Sequence, residues 1–317
     1  MTDSITYLIC NTCGTQHATP DRAALPTCFI CDDPRQYTPP TGQSFTTLGA
    51  LRAAGNHSNE FHPILPPTTT SNDATARFTS IVTTPQFAIG QRAILIRTPK
   101  GNVLWDCVTY LDDATAQRIE TELGGIQAMV ISHPHFYSAH LEWAERFGCK
   151  VYLAAEDKRW LARRDEARQV FVEGVEARVE GVGGEDTGVR VVKLGGHFPG
   201  SLVLLYEGHL FTADTLMMTP AGRGNWGVDA LGNPRERPQG MNTFSFMWSI
   251  PNMIPLSADE IVRMWGILKN YNFRSAHGLC LGWDIEDENI KARVLESMQI
   301  QIRAMGHGQH PFLQEAL

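Results

Sequence analysis

The sequence lacks the features that mark three common classes of protein. It has no apolar run near the ~20 residues that a membrane-spanning helix needs, and no basic N-terminal segment followed by an apolar stretch. It has no excess of positive charge, because 27 Lys and Arg face 34 Asp and Glu, for a net charge of −7. These absences disfavour a membrane protein, a secreted protein and a nucleic-acid-binding protein, so we expect no membrane or nucleic-acid partner.

Cysteine is too scarce and too unevenly placed for a disulfide-stabilised secreted fold. There are 7 cysteines, an odd number, and four of them form two C-x-x-C pairs: Cys10 with Cys13, and Cys28 with Cys31. Two such pairs supply four thiolates to one tetrahedral cation, and the shell is closed, as in structural sites. The pattern predicts a zinc-ribbon-like segment in a reducing, cytoplasmic compartment. Rubredoxin-type iron uses the same ligands, so zinc is the preferred of two assignments.

The sequence does contain enough apolar residues for a sizeable core. Of its 317 residues, 43% are hydrophobic and 19% are charged. Its texture divides the chain into the cysteine-containing segment (1–45), a Pro- and Thr-rich connector without regular elements (46–75) and a regular region (76–317). In the regular region strands come first and are later interleaved with helices, which favours a layered α/β fold.

Periodicity places the elements of the regular region. Apolar segments predict strands at 78–83, 92–98, 102–105, 127–132, 151–153, 189–194, 201–206, 209–213 and 273–276. A 3.6-residue period predicts helices at 114–123, 139–147, 156–163, 257–270 and 286–305.

Four strand ends in this region carry a good metal ligand. His133 and His135 follow an apolar strand as a His-x-His pair, and residues two apart at a strand end point to the same side. His197 follows a second strand in a Gly-rich turn, Asp214 ends a third, and His277 ends a late strand. Imidazole and carboxylate groups bind zinc or iron, so four such ends together indicate a metal centre.

This arrangement resembles the metallo-β-lactamase fold hydrolases, which carry a His-x-His-x-Asp-His motif after a strand, then a His, an Asp and a last His. The resemblance extends from about residue 78 to the C-terminus. It implies an αββα four-layer sandwich of two mixed sheets flanked by helices. It also implies His133, His135 and His197 as ligands of a first metal, Asp214 as a bridging ligand and His277 as a ligand of a second metal.

The chain departs from this family motif at two positions. Tyr137 and Ser138 stand where the family has Asp-His, so two of the usual second-site ligands are missing and the number of metals, one or two, stays open. His140 is a candidate replacement ligand, with a surface or capping role as the alternative. The Tyr137 phenol is a candidate donor to a carbonyl or a water, with packing under the loop as the alternative. Asp106, which ends an apolar strand, resembles the aspartate that supports the family's metal loop.

The resemblance implies a zinc-dependent hydrolase in which metal-activated water attacks the carbonyl of a small ester, lactone, lactam or thioester. Asp214, Tyr137 and His140 are the catalytic candidates, with Asp214 holding or shuttling the proton. One alternative is a mononuclear Fe(II) dioxygenase of the same fold, in which two histidines and a carboxylate bind iron. A second alternative is a non-catalytic metal-binding scaffold.

The stretch 216–255, directly after Asp214, is rich in aromatic residues, Met, Gly and Pro. We expect it either to cover the metal as a lid, with Trp226, Phe246 and Trp248 against the substrate, or to pack its own small core. The expected partner is a small carbonyl compound, and the cysteine segment is a candidate surface for a homodimer.

Overall fold

Two large β-sheets and the loops that follow their strands position the candidate histidine and aspartate ligands. The computed structural model describes residues 4–64 and 76–317. The strands are β1 (Leu8–Cys10), β2 (Phe45–Thr47), β3 (Ser58–Ile64), β4 (Phe78–Thr84), β5 (Arg92–Ile96), β6 (Val103–Trp105), β7 (Ala128–Val130), β8 (Lys150–Ala154), β9 (Gln169–Val172), β10 (Glu176–Glu180), β11 (Asp186–Lys193), β12 (Leu202–Tyr206), β13 (His209–Phe211), β14 (Met217–Met218), β15 (Phe244–Ser245), β16 (Met247–Ser249), β17 (Ile254–Pro255), β18 (Ser275–His277) and β19 (Asp284–Glu286). The α-helices are α1 (Leu48–Ala54), α2 (Asp113–Glu122), α3 (His140–Phe147), α4 (Ala258–Leu268) and α5 (Ile290–Ala304).

Both large sheets are mixed, as expected. The first has seven strands in the order β3-β4-β5-β6-β7-β8-β9, antiparallel from β3 to β6 and parallel from β6 to β9. The second has six strands in the order β10-β11-β12-β13-β18-β19, with one parallel pair, β13 with β18. The carboxyl ends of the parallel strands β6, β7 and β8 therefore lie along one edge of the first sheet.

Alternation along the strands creates the four layers. In β5, Ile94 and Ile96 belong to a buried cluster shared with the second sheet, whereas Ala93 and Leu95 belong to a cluster with residues of α2 and α3. The second sheet is likewise covered on its outer side by α4 and α5. Because side chains alternate between the two faces of a strand, each sheet is apolar on both faces. The αββα sandwich is confirmed.

The expectation that 46–75 holds no regular element is wrong for its first part. The Thr47 side chain accepts a hydrogen bond from the Ala50 main-chain nitrogen at 3.0 Å and begins α1. Gly55, in the left-handed conformation with φ 62°, ends this helix. The helix has only 7 residues, which is too short for a clear periodic signal. Residues 65–75 lie outside the described part of the chain.

The same stretch also contributes a strand to the first sheet. β3 pairs antiparallel with β4 along its whole length and forms the outer edge of the sheet. Its residues are half-buried or exposed, and Pro63 stands within it. An edge strand needs few apolar side chains and tolerates proline, so its sequence reads as a connector.

The cysteine-containing segment is packed onto the sandwich. Its two short strands, β1 and β2, pair antiparallel with each other. All four cysteines of the two C-x-x-C pairs are buried in the same cluster as Phe136 and Phe198, which each follow a predicted ligand histidine. The cysteine-containing segment and the loops that carry His135 and His197 thus share one core.

Most predicted elements of the sandwich are present with ends shifted by a few residues. One predicted helix, 156–163, is instead a 3-10 turn at Ala155–Trp160. In the part of the chain that the structure describes, no helix combines the length and the apolar character needed to cross a bilayer.

Candidate metal centres

The loop that carries His133 is fixed from below by an aspartate. Asp106 follows β6 with a positive φ of 57°, and its Oδ1 accepts a hydrogen bond from the Ser132 main-chain nitrogen at 2.7 Å. The Ser132 hydroxyl in turn lies 2.8 Å from His133 Nδ1. When Nδ1 donates to this hydroxyl, the lone pair of His133 Nε2 is available to a cation. Asp106 therefore supports the loop that carries His133, as the resemblance to the family implied.

Two glycines and a threonine shape the loop that carries His197. Gly195 and Gly196 have φ of 69° and 88°, and a Cβ on Gly196 would lie 2.5 Å from the Thr215 hydroxyl. That hydroxyl donates to the Gly195 carbonyl and accepts from the His197 main-chain nitrogen at 3.3 Å. Since Thr215 follows Asp214, it joins the loops of two ligands. Only a residue without a side chain fits this turn.

Four side chains converge on one point. Asp214 Oδ2 lies 3.3 Å from His133 Nε2, 3.7 Å from His135 Nδ1 and 3.4 Å from His197 Nε2. His197 Nε2 and His135 Nδ1 are 3.1 Å apart. Ligands about 2.0–2.1 Å from a tetrahedral zinc ion are separated by about 3.3–3.4 Å, so the four atoms have the spacing of a single ion's shell.

The protonation states of the ligands suit a cation. Burial lowers the pKa of His135 to about 4 and that of His197 well below its usual range. Burial alone would raise the pKa of Asp214, but its interactions with the imidazoles of His133, His135 and His197 hold it well below its usual value. Near neutral pH His135 and His197 are therefore neutral and Asp214 is ionised, which is the state in which these groups bind metal.

The centre opens to solvent on the side of Asp214. The side chains of His133, His135 and His197 are 1%, 1% and 0% exposed, whereas that of Asp214 is 12% exposed. Asp214 is therefore the most exposed of the four side chains.

The structure does not bring His277 to this centre, contrary to the expectation. Its Nδ1 donates to Asp284 Oδ1 at 2.8 Å, and its Nε2 lies 3.0 Å from His209 Nδ1. In the register of β13 and β18, His277 pairs with Phe211, and the two rings lie 4.8 Å apart. The histidine ends a strand as predicted, but its side chain points into the space between the sheets rather than to the metal edge.

His140 is also engaged elsewhere, and its side chain is not among those that converge on the histidine centre. Its Nδ1 donates to the Tyr137 carbonyl at 2.7 Å, and its Nε2 accepts from Gln169 Nε2 at 2.9 Å. Burial lowers its pKa to about 4. With both ring nitrogens in hydrogen bonds, this histidine is neutral and connects the first turn of α3 to β9.

The Tyr137 phenol is enclosed rather than presented to a substrate. The residue is 2% exposed, and its hydroxyl has no hydrogen-bond partner within residues 4–64 and 76–317. Burial, with a contribution from the Asp157 carboxylate, raises its pKa well above the usual value. This placement matches the alternative of a ring packed under the loop.

The three aromatic residues predicted to bind substrate have different surroundings. Phe246 is fully buried in the cluster under α4 and α5, and its main chain bonds to the Gln301 side chain at 3.0 and 2.8 Å. It is therefore a core residue, as in the alternative of a small local core. Trp248 is partly buried 5.6 Å from the Arg35 guanidinium, and Trp226 donates to the Ala221 carbonyl at 2.7 Å. A substrate contact by either tryptophan stays a prediction.

The four cysteines form a second candidate centre. The sulfur atoms of Cys10 and Cys31 are 3.7 Å apart, as are those of Cys13 and Cys28. A disulfide needs about 2.05 Å, whereas thiolates about 2.3 Å from a tetrahedral zinc ion lie about 3.8 Å apart. The residues fit a bound cation.

The other three cysteines do not belong to either centre. Cys107 and Cys149 are buried, and burial raises the pKa of Cys149 to about 12. Cys280 is half-buried, and its pKa is raised by burial and by the charge of Asp214. None of the three is activated as a thiolate.

Two residues that hold the histidine centre, and one that fixes the loop after β18 outside it, carry no sequence signal. Thr215 and Ser132 are small hydroxyl residues beside a ligand, and only that adjacency points to them. Arg92 is fully buried and bonds both oxygens of Asp284 at 2.9 Å, while its other nitrogen donates to the Gly278 and Cys280 carbonyls. It fixes the loop after β18 from a distant strand, which no local pattern reveals.

Comparison with known proteins places these observations in a family. The sequence profile described as "Metallo-beta-lactamase superfamily" matches residues 88–253. The chain is also 40% identical over 274 residues to the uncharacterized protein YmaE of Bacillus subtilis strain 168, covering 84% of this chain and 86% of that protein.

Solved structures resemble the chain more distantly. The FIM-1 metallo-β-lactamase of Pseudomonas aeruginosa in its mono-zinc form is 13% identical, with a TM-score of 0.47, over 78% of this chain and 96% of that one. A flavo-di-iron protein variant from Thermotoga maritima is 13% identical, with a TM-score of 0.45, over 77% of this chain and 62% of that one.

Proposed function

Because this chain belongs to the metallo-β-lactamase superfamily, we propose that it is a zinc-dependent hydrolase of a small ester, lactone, lactam or thioester. The observation that carries the proposal is the convergence of His133, His135, His197 and Asp214, whose ligand atoms all lie within 4.8 Å of one another. The superfamily and this His/Asp site together indicate a metal-dependent hydrolase in general. The choice of zinc and of a carbonyl substrate is the proposal.

The histidines and the aspartate of the centre have different roles in the proposed reaction. His133, His135, His197 and Asp214 would hold the zinc ion, which would supply a water with its pKa lowered toward ~7 and a Lewis acid for a carbonyl oxygen. The three buried histidines hold their positions through hydrogen bonds at their second nitrogens or through packing. Asp214, the only partly exposed ligand of the four, lies where a substrate enters and keeps an ionised carboxylate that can accept a proton.

We propose that this centre holds one metal ion. The four converging atoms complete a single shell, Tyr137 and Ser138 replace two family ligands, and His277 bonds to Asp284 and His209 instead. With one further ion on the cysteines, the chain would contain two metal ions.

The central experiment compares zinc-loaded wild type with His197→Ala and, as a matched control, His62→Ala, at a histidine of β3 whose side chain is 40% exposed. Each is assayed with one ester, one thioester, one lactone and one β-lactam. We expect wild type and His62→Ala to hydrolyse at least one of them, and His197→Ala to fall to the rate of the metal-free chain. Equal rates in all three proteins would refute the site.

Elemental analysis and oxygen uptake separate the two alternatives. Iron at the histidine centre, with oxygen consumption and no hydrolysis, would replace the hydrolase with a dioxygenase. Metal at the centre, with neither hydrolysis nor oxygen uptake, would indicate a non-catalytic scaffold.

A further inference from the structure

The two cysteine pairs reach the two sides of the histidine centre. After the first pair, Gly14 lies so close to the sandwich that a Cβ on it would be 2.1 Å from the Thr109 hydroxyl. Thr109 donates to the Gly14 carbonyl at 3.1 Å. This part of the cysteine segment is thus seated on the sandwich without clearance for any side chain.

Gln91 connects the first pair to a metal ligand. It is 4% exposed, and its Nε2 donates to the Cys13 carbonyl at 3.1 Å and to the His135 carbonyl at 3.3 Å. Its Oε1 lies 3.3 Å from the Thr109 hydroxyl oxygen. One side-chain amide therefore joins the main chain of a cysteine ligand to the main chain of a histidine ligand.

Arg35, four residues after Cys31, makes the corresponding connection for the second pair. It bonds Asp33 twice, at 2.7 Å through each of two nitrogens, and donates to the His197 carbonyl at 3.2 Å. Its guanidinium carbon lies 3.9 Å from the centre of the Phe198 ring. The side chain is 8% exposed, so this charge is held in a fixed and largely desolvated position.

The segment around Arg35 is itself held on both sides. Trp160 Nε1 donates to Asp33 Oδ2 at 3.3 Å. Ser249 donates to the Arg35 carbonyl at 3.0 Å, and Asn252 donates to the carbonyls of Pro34 and Gln36. The segment that carries Arg35 is therefore held by Trp160 and by residues in and after β16, and the chain connects it directly to Cys31.

We propose that the four-cysteine centre sets the metal affinity of the histidine centre, with Gln91 and Arg35 as the positioning residues that transmit its state. When a cation holds the four sulfur atoms together, both side chains are fixed against the carbonyls of His135 and His197. When that cation leaves, the cysteine loops lose their cross-link and both ligand loops lose a fixed partner. Coupling of this kind is reciprocal, so a cation at the histidine centre retains the one at the cysteines.

The proposal needs the histidine centre of the proposed function but not its reaction. A chain that binds a cation at the histidines and hydrolyses nothing would refute the function and leave this inference intact. The readout is therefore metal affinity rather than turnover.

The first test measures cobalt affinity of the full chain by competition with a chelator. Cobalt on thiolates and cobalt on histidines absorb differently, so each centre is followed separately. We expect Arg35→Gln and Gln91→Ala to raise the dissociation constant of the histidine centre about tenfold, a typical effect for groups that orient ligands. The matched control is Arg163→Gln, because Arg163 also ties the cysteine segment to the sandwich, through Gln16 and Glu142, without touching a ligand carbonyl.

The proposal is tested by comparing the metal affinity of the histidine centre in Arg35→Gln and in Arg163→Gln. An equal change in Arg35→Gln and Arg163→Gln, or no change in either, would overturn it. If Arg35→Gln does not fold, Arg35→Lys keeps a charge beside Asp33 but loses the planar group that bonds Asp33 twice while reaching His197. The same weakening is then expected of Arg35→Lys.

The second test acts on the cysteine centre directly. An organomercurial is added to the cobalt-loaded chain in a Cys280→Ser background, which removes the half-buried thiol outside the centre. Once the thiolate absorption is lost, we expect a chelator to withdraw the histidine-bound cobalt about tenfold faster. An unchanged rate of withdrawal would overturn the proposal.

Discussion

Asp106 Oδ1 accepts a hydrogen bond of 2.7 Å from the main-chain nitrogen of Ser132, the residue immediately before His133. The carboxyl group is fully buried, and burial raises its pKa to about 7. Burying a carboxyl group destabilises the folded chain. The hydrogen bond to the Ser132 N–H offsets part of this free-energy cost, and it also holds the loop that carries His133.

Replacing Asp106 tests how much the metal loop depends on this bond. Asp106→Ala leaves the Ser132 N–H without this acceptor, so we expect a loss of about 1–3 kcal/mol in the free energy of unfolding. We expect metal affinity at the histidine centre to fall on the order of tenfold. Asp106→Asn keeps an acceptor oxygen and tolerates the positive φ, so it should behave like wild type. Urea unfolding and chelator competition measure the two effects, and identical results for both variants would contradict the role.

His140 predicts a pH dependence of stability. Its pKa is about 4 in the folded chain, against an ordinary value of 6.5, so the unfolded chain binds the extra proton between these values. The stability that depends on neutral His140 is complete above pH 6.5 and is lost as the pH falls toward 4. We expect wild type to lose about 2 kcal/mol more than His140→Gln between pH 7 and pH 5, measured by urea unfolding. Parallel losses would show that another group is responsible.

His277 predicts a separation of stability from metal binding. His277→Ala removes the group that bonds both Asp284 and His209 between the sheets, so the free energy of unfolding should fall by about 1–3 kcal/mol. The cation at the histidine centre should remain, because the residue lies outside the converging four. His197→Ala is the comparison variant and should lose that cation. Loss of the cation from both variants, measured by elemental analysis, would restore His277 as a ligand.

Tyr137→Phe should not destabilise the chain. Its buried hydroxyl lacks a partner in the described ranges, so its removal should leave the free energy of unfolding unchanged or raise it by up to about 1–3 kcal/mol. Tyr152→Phe is the control, because the Tyr152 hydroxyl accepts from the Glu180 nitrogen at 3.1 Å, and its loss should cost about 1 kcal/mol. A slower hydrolysis in Tyr137→Phe at constant metal content would instead return the phenol to catalysis.

Cys28→Ser should remove the cation of the cysteine centre and destabilise the chain by several kcal/mol, because metal binding in such segments contributes directly to folding. Cys149→Ser, at a buried cysteine outside the centre, should keep that cation. Thermal unfolding with metal analysis distinguishes them. A Cys28→Ser chain as stable as Cys149→Ser would show that the four sulfurs do not need a metal.

The sequence predicted a site residue correctly where a metal-binding side chain stands at the end of an apolar strand segment. The structure brings together His133, His135, His197 and Asp214, each of which combines a strand end with a ligand side chain. His277 has the same combination, but the parity of β18 turns its side chain inward, and periodicity cannot fix parity at the last residue of a strand.

Elements and contacts without a local pattern were not predictable. The helix α1 and the strand β3 are short or half-exposed, and they depend on a cap at Thr47 and on pairing with β4 for their structure. Gln91 and Arg35 act through partners far along the chain. Their role becomes visible only when the cysteine segment is packed against the sandwich.

The outer edge of the seven-stranded sheet has a consequence for self-association. β3 ends the sheet with Glu60 and Pro63 exposed, and proline offers no N–H to an incoming strand. A charged and interrupted edge is a poor template for continuing a sheet into another molecule, which protects a sandwich of this size from edge-to-edge aggregation. Two copies of this chain are therefore not expected to join their sheets at β3.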